Sequence, residues 1–311
     1  MKPDEFLQRV NKSLKKGELD HNLLTHENKF MRSKYLFKMI ENMSMILKLF
    51  DFKDTISFKD NIAYIKLNNI KFKLNNTFFL KSSGSKFISP SLNTINFIKY
   101  IKLNPKIIID IGACWGEYSL NFAREFPNSY IYSIEGSPIN YSTFQENLKI
   151  NKKIRKKINP FNLIITGFDG LEEISNNLNT MNTIRNLNNG QQNFVKVQSK
   201  KLETFINDQN LNNVDFLKID IEGAELNLIE SLKNKVIKVM QIELINHNNL
   251  KENLNFINSL SKYYIFYDCM SFKRLSLNET QSLITETLSK STTIDLFFLN
   301  KSCKNLIPNK L

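Results

Sequence analysis

Cysteine is scarce in this chain of 311 residues: Cys114, Cys269 and Cys303, with no Cys-x-x-Cys spacing. That excludes a disulfide framework and a zinc ribbon, and it fits a reducing compartment. Glycine (9) and proline (7) are also few, which excludes collagen-like and linker-rich architectures. Long apolar runs are missing. The greasiest stretch, Tyr35 to Phe50, is interrupted by Lys38, Glu41 and Lys48, too broken and too short to span a bilayer. Residues 1–20 are polar and charged and lack the apolar segment of a secretory signal. These absences predict a cytoplasmic protein with no transmembrane segment.

What is present is globular in kind. Apolar residues make up 41% and charged residues 23%, near the averages of folded domains. The formal net charge is +13, a balance that suits nucleic acid, a membrane surface or an anionic substrate. The chain is rich in Lys, Asn and Ile together, and an AT-rich coding bias accounts for that charge without any partner.

From Lys34 to Phe50 the residues Leu36, Ile40, Met43, Leu47 and Phe50 recur at helical spacing, which predicts an amphipathic helix docked on its own domain. A homodimer contact or a membrane surface is the other use of such a stripe. Ile62, Tyr64 and Lys66, then Ile70, Phe72 and Leu74, alternate around Asn68-Asn69 and predict a β-hairpin. Residues 1–85 are thus expected to form an N-terminal extension of helix and hairpin, packed on a main domain at 86–311. From about residue 100 the pattern alternates strand and helix, with strands expected at 106–111, 130–134, 162–165, 194–198, 214–219, 236–242, 263–267 and 293–299. This predicts an α/β fold, doubly wound around a mostly parallel sheet, with the two late strands as an antiparallel edge hairpin. Residues 170–193, rich in Asn and Gln, read as a long loop.

Ligands of such sheets bind beyond the carboxyl ends of the strands. Four groups of residues fall there. Asp110-Ile-Gly112-Ala113-Cys-Trp-Gly116 runs from a strand through a glycine loop into a helix. It lacks the G-x-G-x-x-G spacing of a dinucleotide site, which argues against a dehydrogenase. Asp110 would repel phosphate and suits a cationic or neutral ligand. Glu135 ends the next strand, where an acid can accept both hydroxyls of a ribose. Asp220 and Glu222 follow the strand at 214–219; they suit a sulfonium, a substrate hydroxyl or a metal, while Glu225 suits the start of the next helix. Glu243 ends the following strand, and His247 lies just beyond it as a candidate general base.

Taken together, Asp-Ile-Gly-Ala-x-x-Gly, Ile-Glu-Gly-Ser-Pro with Asn147 and Asn151 on the following helix, Phe-Leu-Lys-Ile-Asp-Ile-Glu-Gly-Ala-Glu, Ile-Glu-Leu, and a late Thr-Ile-Asp-Leu-Phe-Phe-Leu resemble the FkbM-type methyltransferases over about 105–300. The resemblance implies a class I, Rossmann-like fold with a seven-stranded sheet and S-adenosyl-L-methionine as cofactor. It further implies O-methylation of a small-molecule or glycan hydroxyl acceptor. Carried over, Asp110, Gly112, Ala113 and Gly116 would line the methionine end of the cofactor, Glu135 would hold the ribose, and Asp220 and Glu222 would sit near the transferred methyl. Cys114-Trp115 is bulkier than the pair usual at that point. The acceptor hydroxyl needs a base, for which Asp220, Glu222, Glu243 and His247 are the candidates. Carboxylates also suit Mg²⁺, but no diagnostic ligand spacing supports a metal, and a metal-free site is expected. An RNA methyltransferase would draw on the basic cluster Lys149 to Lys157 and the basic hairpin at Lys66, Lys71 and Lys73, yet no RNA-binding module is recognisable. A non-catalytic adenosyl-binding module is the third reading.

Overall fold

The computed structural model describes residues 55–59, 62–67, 69–74, 91–175, 194–233, 237–246, 248–291 and 293–306. The helix expected at 34–50, His247 and residues 176–193 lie outside them. The chain divides into two compact units, residues 1–66 and 67–311. In the first, β1 (Thr55–Lys59) pairs antiparallel with β2 (Ile62–Leu67), Thr55 opposite Lys66. Asn69 turns in the left-handed region at φ 65°, a conformation Asn tolerates better than most residues. The second unit opens with β3 (Ile70–Leu74), so strands stand on both sides of the Asn68-Asn69 pair, as expected.

The larger unit is built on one mixed sheet. Its parallel part comprises β4 (Ile107–Ile111), β5 (Tyr130–Ile134), β6 (Ile158–Phe161), β10 (Val214–Ile219) and β11 (Ile237–Ile245). Its antiparallel part comprises β12 (Tyr264–Asp268), the two-residue β13 (Arg274–Leu275) and β14 (Thr293–Asn300). The order across the sheet is β13-β12-β14-β11-β10-β4-β5-β6. Strand β10 pairs in parallel with β4 and β11, while β14 runs antiparallel between β11 and β12. The short β13 makes eight strands where seven were expected. A second sheet has the order β7-β9-β8, with β7 (Ile164–Thr166), β8 (Gly170–Ser175) and β9 (Phe194–Lys201).

Helices α1 (Ser91–Tyr100), α2 (Glu117–Glu125), α3 (Pro138–Ile150), α4 (Leu202–Asp208), α5 (Ile229–Leu232), α6 (Leu250–Leu260) and α7 (Leu277–Lys290) flank these sheets. Among the described residues, no helix is long and apolar enough to cross a membrane. The central strands are mostly apolar because both faces are covered: every residue of β10 is buried, Asp215 and Lys218 included. Phe97 stacks on Phe297 at 3.9 Å and Phe122 meets Phe216 edge-on at 5.7 Å, aromatic pairs that tie helices to the sheet.

Three expectations are corrected. The strand read at 162–165 does not join the main sheet: Ile158–Phe161 takes that edge, and Ile164–Thr166 pairs with β9. Part of the supposed loop is a strand, since Gly170–Ser175 pairs with Phe194–Ser199 along its whole length; adjacent Glu172 and Glu173 had broken the apolar alternation. The two late strands are neighbours but not a hairpin, because α7 intervenes. Ser276 and Glu279 form a capping box that starts it, the Ser276 hydroxyl accepting from Glu279 N–H and the Glu279 carboxylate accepting from Ser276 N–H.

Candidate functional site

Four of the five parallel strands deliver one acidic residue each to the same edge. Asp110 lies on β4, Glu135 just past β5, Asp220 just past β10, and Glu243 late in β11. The parallel register, Ile219 beside Ile111 and Ile242, brings Asp220 level with both neighbours.

The loop after β4 is shaped by alternate left-handed residues: Gly112 at φ 78°, Cys114 at 51° and Gly116 at 89°. Gly112 and Ala113 both donate to the Ile134 carbonyl at 2.9 Å. A Cβ on Gly112 would lie 1.8 Å from the Asp220 carbonyl oxygen, and one on Gly116 would lie 2.2 Å from the Phe144 ring. Both glycines are therefore required by close packing as well as by backbone sign.

Asp110 is fully buried. One oxygen accepts from the Ser119 hydroxyl at 2.5 Å, and the other has no hydrogen-bond partner but lies 3.7 Å from the Lys218 ammonium. Burial raises its pKa, and Lys218 offsets this only in part. Lys218 is the residue that sequence reading missed. It sits inside β10, almost wholly buried, 3.1 Å from Asp220 and 3.4 Å from the Gly112 carbonyl, with its ammonium 4.6 Å from the Tyr118 ring centre. Burial alone would lower its pKa; Asp220 and Asp110 instead hold it far up, so it stays charged.

Glu135 is also buried, and each of its oxygens accepts one backbone N–H, from Cys114 and from Ser137, both at 2.8 Å. Burial still pushes its pKa up to about 7. Each oxygen keeps a lone pair.

Past β10 the chain turns through Glu222 at φ 55° and Gly223 at 103°. Glu225 holds this turn, its carboxylate accepting from Ile221 N–H at 2.9 Å and Gly223 N–H at 3.2 Å. The turn leaves Asp220 and Glu222 close enough to repel. Burial, then Asp220, push Glu222 up to about 8. Burial, then Asp220, Asp295 and Glu222, push Glu243 up to about 9. Asp295 stands directly opposite Glu243 in the sheet and accepts from the Gln241 amide at 2.9 Å. At neutral pH Glu243 therefore carries a proton beside Asp220. Among the described residues, no group of three or more His, Cys, Asp or Glu has an arrangement that could hold a metal ion.

The site thus offers a sharply bent glycine loop and more carboxylates than cations. The model for the methyltransferase FkbM domain matches residues 110–268, half of the chain. This protein belongs to the FkbM methyltransferase domain family. A curated relative, "Methyltransferase 1" of Beauveria bassiana (strain ARSEF 2860), is 25% identical over 146 residues, 41% of this chain and 59% of the relative, so the chain spans less than two thirds of that protein's length. Similar solved structures include P. horikoshii TYW2 in complex with MeSAdo, 12% identical, covering 94% of this chain and 98% of that one with a TM-score of 0.40. Precorrin-6y C5,15-methyltransferase from Geobacter metallireducens GS-15 is 13% identical, covering 69% and 91% with a TM-score of 0.39.

The family match begins at Asp110 and takes in the glycine loop, Glu135, Asp220, Glu222 and Glu243. The donor set fits an adenosyl sulfonium: a surplus of carboxylate suits a cation, and Glu135 has acceptor capacity left for a diol.

Proposed function

We propose that this protein is an S-adenosyl-L-methionine-dependent O-methyltransferase acting on a hydroxyl of a sugar, glycan or related small molecule. The observation that carries this reading is the gathering of Asp220, Glu222 and Glu243 beside the left-handed glycine loop, in a chain of the FkbM family. When bound, the cofactor supplies an electrophilic methyl group on a sulfonium. The chain's own residues would do the rest. Glu135 accepts hydrogen bonds from the ribose hydroxyls while its backbone partners keep it aimed. The loop at 112–116 exposes backbone to the methionine end. Asp220 and Glu222 would face the positive charge.

The acceptor hydroxyl must lose its proton as the methyl arrives. We assign that proton to the Asp220–Glu243 pair. Lys218 fixes Asp220 at the strand end and so positions the pair. The exposed basic residues Lys152 to Lys156 lie before β6, and the Lys157 ammonium stands 5.3 Å over the ring of Tyr130, the first residue of β5. This is the amino edge of the sheet, away from the carboxylates, which favours a small acceptor over RNA.

Titration calorimetry with S-adenosylhomocysteine tests the cofactor assignment, with NAD⁺ and the Glu135→Gln variant as controls. Micromolar binding that weakens at least tenfold in the variant, with no heat from NAD⁺, is the expected result; no binding by the wild type overturns the assignment. Transfer of labelled methyl to a hydroxyl acceptor, lost in Asp220→Asn, tests the chemistry.

A further inference from the structure

Strand β3 is held by a helix rather than only by strands. Asn151 accepts from Lys71 N–H at 3.2 Å and donates to the Lys71 carbonyl at 2.6 Å, while Asn147 accepts from Lys73 N–H at 2.6 Å. The match is geometric: four residues along a helix and two along a strand each advance about 6 Å. Two asparagines one turn apart on α3 thus satisfy the backbone of alternate strand residues.

The same helix also holds the glycine loop. The amide of Asn147, fully buried, donates to the Trp115 carbonyl at 2.8 Å while its oxygen takes Lys73. Phe72 on β3, fully buried, meets the Trp115 ring edge-on at 4.9 Å. The loop is strained, because Cys114 is a non-glycine residue in the left-handed region at φ 51°.

We propose that β3 is a latch on the glycine loop, acting through Trp115, so that seating of β3 and occupation of the loop favour each other. Phe72, Asn147 and Asn151 are then positioning residues, and only Asn147 touches the loop backbone. The inference rests on the loop being the adenosyl site.

The chain has a single tryptophan among ten tyrosines, and it lies in this loop, so fluorescence excited at the red edge, where only tryptophan absorbs, reports the loop. The test compares wild type with Asn151→Ala, which unpins β3 without touching the loop, and with Phe72→Leu, which keeps bulk but removes the ring contact. Ser129→Ala serves as a control, losing one buried hydrogen bond to the Pro105 carbonyl at the other end of the domain. S-adenosylhomocysteine is expected to bind five- to tenfold more weakly to the two latch variants and unchanged to the control. Trp115 emission should shift to longer wavelength in both latch variants before ligand is added. In the wild type, ligand should slow hydrogen exchange at the Lys71 and Lys73 amides. If the wild type binds and both latch variants match it in affinity and emission, the latch is overturned while the cofactor assignment stands. If the wild type fails to bind, the assignment falls and takes the latch with it.

Discussion

Two buried aspartates at opposite ends of neighbouring strands show how the same group serves two purposes. Asp215, at the amino end of β10, accepts from Lys106 N–H at 2.7 Å, Ile107 N–H at 2.9 Å and the Lys238 ammonium at 2.6 Å. Burial pushes its pKa up, but these three donors outweigh burial and hold it below the usual carboxylate value. Asp110, at the carboxyl end of β4, has one hydroxyl donor, a lysine shared with Asp220, and one oxygen without a hydrogen bond. Its pKa is raised. A satisfied charge braces the fold. An under-satisfied one stores electrostatic tension where a cation is expected to bind.

The largest break in that comparison comes from Gly112→Ala, which drives a methyl into the Asp220 carbonyl at a backbone angle only glycine adopts easily. We expect loss of S-adenosylhomocysteine binding and the largest fall in melting temperature of any single change here, read by calorimetry and thermal melting. Next, Lys218→Met should cost about 3 kcal/mol in urea unfolding, because it leaves two carboxylates without their shared cation. Lys238→Met, whose side chain is 38% exposed, should cost no more than about 1 kcal/mol. Equal costs would mean that the two ends of the sheet do not differ as argued.

Exchanging charge for amide sharpens the contrast. Asp215→Asn should lower stability by about 1–2 kcal/mol and leave cofactor affinity unchanged. Asp110→Asn should weaken S-adenosylmethionine binding more than S-adenosylhomocysteine binding, since only the former is a sulfonium; the reverse ranking would sink the charge argument.

The last contrast is the pH slope. Glu222 and Glu243 are raised from 4.5 to about 8 and about 9. The folded state therefore binds more protons than the unfolded state between those values, and stability declines as pH rises. Their contribution is full below pH 4.5 and is lost as pH passes through about 8 and about 9. Asp215 works in the opposite sense, but only near and below pH 3.8. Melting temperature should fall between pH 6 and pH 9, and Glu243→Gln should flatten that fall.

Much of the carboxyl edge was legible because it depends on local rules. An apolar run followed by Asp, then Gly, marks a strand end, and strand ends in an α/β sheet converge on one edge; Asp110, Glu135, Asp220 and Glu243 could be found that way. Lys218 could not, since a lone lysine in an apolar strand shows its meaning only when Asp110 is placed beside it on the next strand. Asn147 and Asn151 were visible only as part of a family pattern, and their work on β3 needed the packing of strand on helix. Glu172 and Glu173 hid a strand because they lie in a small sheet with little core, where alternation is weakly enforced.

The sequence by itself determined the α/β class, the strands that meet at the carboxyl edge and the glycine loop, because hydrophobic periodicity and glycine's backbone freedom act over a few residues. Tertiary structure decided which carboxylates crowd together, which cation neutralises them, and what holds Trp115. Those are interactions between side chains far apart in the chain, and their strength depends on distance and burial that exist only after folding.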